Sequence, residues 1–151
     1  MRAKLATLFP VVLAMACVPD APSEQCDPVS PTFISDLGIS QRGDATLTDA
    51  DGGTWGVPLA VRLQANCLRG SVQVNATTTA GRFAGGTPAT PTTLWLAHLG
   101  DGSFEGPVDL QIPADTQTRV QVDLDTASAS SVISVNDAGE VTIDGGTPQL
   151  F

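Results

Sequence analysis

The 151-residue chain has no tyrosine, one histidine (His98), one lysine (Lys4) and three cysteines, and aromatic residues make up 5% of it. Each scarcity excludes something. With one imidazole, a His-based triad would have to run entirely through His98, and no Gly-x-Ser-x-Gly elbow is present to supply its nucleophile. His98 in Leu94-Trp-Leu-Ala-His-Leu99 reads instead as a hydrogen-bonded histidine at a strand end. With only three cysteines and one histidine, a self-contained zinc site is not expected. Bases are scarce as well: 7 Lys+Arg stand against 16 Asp+Glu, a net charge of −9. Nucleic acid is excluded as a partner, because phosphate binding needs a basic face. No apolar run reaches the roughly 20 residues of a membrane-spanning helix.

What is present begins with an address. Met1-Arg-Ala-Lys4 carries two positive charges, Leu5 to Ala16 is apolar apart from Thr7 and Pro10, and Ala14-Met15-Ala16 precedes Cys17. A basic start, an apolar stretch of about a dozen residues and a small-x-small site describe a secretory signal peptide over residues 1–16. Leu13-Ala-Met-Ala-Cys17 resembles a bacterial lipobox, although Ala14 stands where that family usually has leucine. The resemblance implies lipidation of Cys17 and a membrane partner reached through the lipid. It also implies an exported protein of the cell envelope, in the outer membrane if the source has one. The same Ala-x-Ala suits the general signal peptidase, which would leave a secreted or periplasmic soluble protein.

In an oxidising compartment thiols pair, and an odd count requires explanation. Acylation of Cys17 leaves Cys26 and Cys67 as one disulfide; without it, Cys17 is free or intermolecular and the same pair remains. Residues 17–31 are rich in Pro, Ser, Asp, Glu and Gln and carry almost nothing apolar, the composition of an extended tether.

Residues 32–151 read as one all-β domain. Val57, Leu59, Val61, Leu63, Ala65 and Cys67 alternate with Arg62, Gln64 and Asn66, the period of a half-buried strand. The pattern recurs at Val72–Ala76, Val108–Ile112 and Val120–Leu124. Shorter candidates are Thr32–Ile39, Ala45–Thr48, Thr93–Leu99, Val132–Val135 and Val141–Ile143. Turn chemistry separates them at Asp51-Gly-Gly53, Arg69-Gly70, Gly85-Gly86, Gly100-Asp-Gly102, Asn136-Asp-Ala-Gly139 and Asp144-Gly-Gly146. Many short strands at such spacing predict an antiparallel immunoglobulin-like β-sandwich.

Leu59–Ala65, a loop, and Val72-Gln-Val-Asn-Ala-Thr-Thr-Thr-Ala-Gly81-Arg-Phe83 resemble part of a bacterial immunoglobulin-like domain of the invasin/intimin type. The Thr-rich Gly-x-Phe corner is followed by a Gly/Thr-rich hinge at Ala84–Thr87, an Asp101-Gly102 turn and two further strands. The likeness covers roughly residues 57–125 and implies a non-enzymatic display, adhesion or structural role at the envelope. Asn66–Ser71 departs from the family, which places an Asp-Ala-x-Gly-type turn there. Its domains also come in tandem, whereas one copy is found here.

The remaining candidates concern ligands. Most acids fall in turns (Asp51, Asp101, Asp137, Asp144) or on outward strand positions (Asp109, Asp123), where a catalytic carboxylate pair has no burial to act on. No cofactor is expected. Calcium is the one metal the acids could hold, with Asp49 and Asp51 in Asp49-Ala-Asp51-Gly52 as ligands. The third oxygen residue and closing glutamate of an EF-hand are missing, and ordinary Asp-Gly turn chemistry is the preferred reading of the string. A carbohydrate-binding module is the alternative function. Trp55, flanked by Gly53, Thr54, Gly56 and Pro58, is expected in a loop and exposed to a glycan or envelope-protein ligand. Trp95 is expected to be buried in a central strand apolar on both faces.

Overall fold

The computed structural model describes residues 33–49, 53–68, 72–88, 90–146 and 148–150. The signal-peptide, lipidation and tether segments, with Cys17 and Cys26, lie outside the described residues, as does Asp51.

The chain is all-β and antiparallel. Its strands are β1 (Phe33–Gln41), β2 (Thr46–Leu47), β3 (Thr54–Asn66), β4 (Val72–Thr78), β5 (Arg82–Phe83) and β6 (Thr92–Gly100), followed by β7 (Ser103–Pro113), β8 (Thr116–Leu124), β9 (Ala127–Val135), β10 (Val141–Gly145) and β11 (Gln149–Leu150). The hydrogen-bonded order is β1-β3-β7-β6-β4-β8-β9-β10, with β2 on β3, β5 on β7 and β11 on β9. β1 returns to pack against β9 and β10, so the sheet curls almost into a barrel around one core.

β6 makes the corner. Its first half pairs with β4 (Val72↔Leu96, Val74↔Leu94), and its second half pairs with β7 (Ala97↔Glu105, His98↔Phe104). A strand that changes partners in this way joins two layers into one path. Gly106 marks the crossing: a Cβ there would lie 2.7 Å from both the Trp95 carbonyl oxygen and Leu96 Cδ2. Pro107 follows just beyond the last β6–β7 pair, so its missing N–H breaks no bond to β6.

The alternation read from the sequence fills the core. Val57, Leu59, Val61, Leu63 and Ala65 of β3 are buried with Leu110 and Ile112 of β7 and Val120 and Val122 of β8. Two stretches outrun that reading. β7 begins at Ser103 rather than near Val108, because Phe104 is buried on the same parity although Gly106 and Pro107 interrupt the apolar pattern. β9 begins at Ala127 rather than Val132. Ala127, Ala129 and Ser131 face inward there, side chains too small to register as an apolar face.

The free edges are short or irregular. β1 carries a bulge between Ile34 and Asp36, and β10 has five residues including Asp144. Bulges, charges and brevity all discourage edge-to-edge pairing.

The Thr-rich corner after β4 is held by a buried hydroxyl network. Thr118 Oγ1 lies 2.8 Å from Thr78 Oγ1, accepts from the Ala80 N–H at 2.8 Å and donates to the Ala80 carbonyl at 3.0 Å. A single hydroxyl rotor cannot donate to both oxygens at once, so Thr78, which also reaches the Ala80 carbonyl at 2.7 Å, shares the donor role. Thr118→Val keeps the shape and strands the Ala80 N–H. The expected loss is about 1–3 kcal/mol, read by denaturant melts; an unchanged midpoint would show that the network contributes nothing net.

Candidate functional site

The two tryptophans occupy each other's expected places. Trp55 sits within β3, paired with Leu47 and Ile112, and its ring packs under the β9–β10 loop. A Cβ on Gly139 would lie 2.5 Å from its Cζ3, so the glycine is what lets the loop close over the indole. Gly53 and Gly56 on either side of Trp55 gave a loop-like composition, but the strand continues through Gly56 under β2. Trp55 is therefore a partly buried strand residue packed at the rim of the core, and the expectation that it lies exposed in a loop is corrected.

Trp95 is the exposed one, at 62% of its accessible surface, with Leu99 at 63%. Leu94 and Leu96 on the same strand are buried at 8% and 0%. β6 thus has one core face, and the expectation that it is covered on both sides fails. The period-2 pattern alone does not separate the two faces, because both are apolar. Trp95 is the register partner of Gln73, an outward polar residue of β4, and a strand face shared with Gln73 looks toward solvent.

The outer face around Trp95 is mixed. Gln73 and Asn75 of β4 flank it on one side, with Asn75 Oδ1 accepting from Thr93 Oγ1 at 3.1 Å. Ala97 continues the strip and pairs with Glu105 of β7, whose carboxylate meets Arg62 Nε of β3 at 3.1 Å. Past this ion pair lies a shallow depression of about 300 Å³, lined by Asp36, Arg62, Gln64, Leu99, Phe104 and Glu105. Neither the Gln73 amide nor the Trp95 indole N–H has a partner within the protein among the described residues. The arrangement offers an aromatic plane, unspent donors and acceptors beside it, and no nucleophile.

His98 is exposed and lies at the end of β6, as expected, but its contact is a ring. The imidazole packs on Phe104 at 4.8 Å between centroids, tilted by 42°, in place of the expected hydrogen bond.

The turn carboxylates serve their own backbone. Asp49 Oδ1 accepts from the Gly53 N–H at 3.1 Å and the Thr54 N–H at 3.3 Å, closing the β2–β3 turn. Asn136 Oδ1 accepts from the N–H groups of Ala138 and Glu140, and its amide donates to Glu140 Oε2 at 2.7 Å. Asp109 meets Arg42 at 2.9 Å in an exposed pair, and Asp123 accepts from Gln121. Asp144, expected in a turn, lies within β10. Among the described residues no group of three or more metal-ligating side chains converges.

Cys67 directly follows β3, is disulfide-bonded and adopts a left-handed backbone, with φ 61°. Comparison with protein-family models, with curated proteins and with solved structures finds no match. The candidate site therefore rests on its own geometry.

Proposed function

We propose that this protein is a non-enzymatic module displayed at the cell envelope, held by a lipid on Cys17 and recognising its partner through the outer face of β6. One observation supports the recognition role: Trp95 and Leu99 stand in solvent on a strand whose alternate residues, Leu94 and Leu96, are packed inside. Burying a tryptophan and a leucine is among the larger gains open to a folding domain, at roughly 1.5–3 kcal/mol for an apolar side chain. Leaving both exposed on one strand forgoes that gain, which supports reading this face as a contact surface. The immunoglobulin-like resemblance and the acidic, Pro-rich residues 17–31 fit the same role, since a tether sets such a face away from the bilayer.

Calcium is not part of this reading, because Asp49 already serves the Gly53 and Thr54 amides. The anchor is tested by fractionating cells that express the full chain. Native protein is expected in the detergent-extracted membrane fraction and Cys17→Ser in the soluble fraction, since a membrane partner reached only through the lipid is lost with it. Retention of Cys17→Ser in membranes would refute the lipid anchor.

A further inference from the structure

We infer that the β6 face binds an uncharged glycan, with Trp95 as the stacking platform and Gln73 as its hydrogen-bonding partner. This deepens the recognition role assigned above and rests on it. A sugar ring presents an apolar C–H face and an equatorial rim of hydroxyls. It is matched by an aromatic plane with planar polar groups alongside. Trp95 and Gln73 are direct register partners on adjacent strands, both are exposed, and neither side chain has a partner within the protein among the described residues. A purely apolar ligand would leave the Gln73 amide and the indole N–H desolvated and unpaired, at a cost.

Charge narrows the class. Gln73, Asn75, Thr93, Trp95 and Ala97 carry none, and the nearest carboxylate on β7, Glu105, is paired with Arg62. The chain as a whole is at −9. Anionic polysaccharides are repelled, and so is a second copy of this chain brought face to face.

The test is affinity electrophoresis of the full chain through gels containing neutral polysaccharides (xyloglucan, galactomannan, laminarin), with pull-down on chitin and cellulose; alginate and polygalacturonate serve as anionic controls. Retention by at least one neutral polymer and by neither anionic one is expected. Trp95→Ala should weaken it about ten- to a hundredfold, the scale at which a stacked ring counts, while Trp95→Phe keeps most of it. Gln73→Ala should cost roughly three- to tenfold. Leu47→Ala, an exposed apolar change on β2, should cost nothing. All of these positions are on the surface, so melting curves should coincide with the parent.

Absence of retention on every neutral polymer, or equal retention of Trp95→Ala, overturns the glycan assignment. A photo-crosslinker at Ala97 on intact cells then separates the two claims. Adducts to a protein or to a second copy overturn the glycan while keeping the face. No adduct and no retention remove both.

Discussion

Gly81→Ala is expected to lower stability by about 3–4 kcal/mol. Gly81 has φ +73°, in the left-handed region, and a Cβ there would lie 2.2 Å from the Gln111 carbonyl oxygen and 2.6 Å from Ile112 Cγ2. The backbone conformation alone costs an alanine roughly 1–2 kcal/mol. The collision adds about 1–3 kcal/mol of overpacking, because the obstacle is main chain and cannot rotate away. Gln111 is held on both sides, paired with Gly56 of β3 and Arg82 of β5. For a domain of this size the loss corresponds to a melting temperature lower by on the order of 10–15 °C. Gly85→Ala isolates the steric part, since Gly85 also has a positive φ (+78°) but nothing within 4 Å of a Cβ. Calorimetry of both should show Gly81→Ala melting well below Gly85→Ala. Equal midpoints would mean that β5 does not cross β7 this closely.

Cys67→Ser is expected to cost about 3–4 kcal/mol. Cys67 is disulfide-bonded, and with Cys26 as its partner the bridge closes a loop of about 40 residues, worth about 4 kcal/mol on the chain-entropy model. Cys26→Ser should then cost the same, and the double variant no more than either single one, because both remove one bond. Cys17→Ser should leave the denaturant midpoint unchanged. A loss in Cys17→Ser with none in Cys26→Ser would assign the bridge to Cys17 and remove that residue as the lipid site.

The fold class was legible because period-2 alternation in β3, β4, β7 and β8 is long enough to stand alone, and Asp-Gly and Gly-Gly strings separate many of the strands. The first half of β9 was hidden by Ala and Ser side chains too small to register as a buried face. The near-closure of the sheet was hidden as well. It depends on β6 exchanging β4 for β7, and Gly106, where a Cβ would meet Trp95 and Leu96, is one trace of that crossing. Local composition also misplaced the tryptophans. Trp55 lies between Gly53 and Gly56, which look like a loop; Gly56 instead lets β2 lie close against β3, and Gly139 lets the β9–β10 loop close on the ring. Trp95 lies among leucines that look like a core, yet its fate is set by Gln73 across the ladder. Which neighbour a strand pairs with decides exposure, and that information is non-local.

Were the chain held through its N-terminal segment as proposed, the position of Cys67 would set how a pull travels through the domain. Among the described residues β1 is an edge strand paired laterally with β3 only, and it is joined to residues 1–32 at its Phe33 end. Tension applied there would act on one ladder. A bridge from Cys26 to Cys67 instead delivers the load just past Asn66, to β3, which is braced by β1 and β2 on one flank and β7 on the other. From β3 such a load would pass to β7 and the second half of β6, and along the chain after Cys67 to β4, which pairs with the half of β6 that carries Trp95.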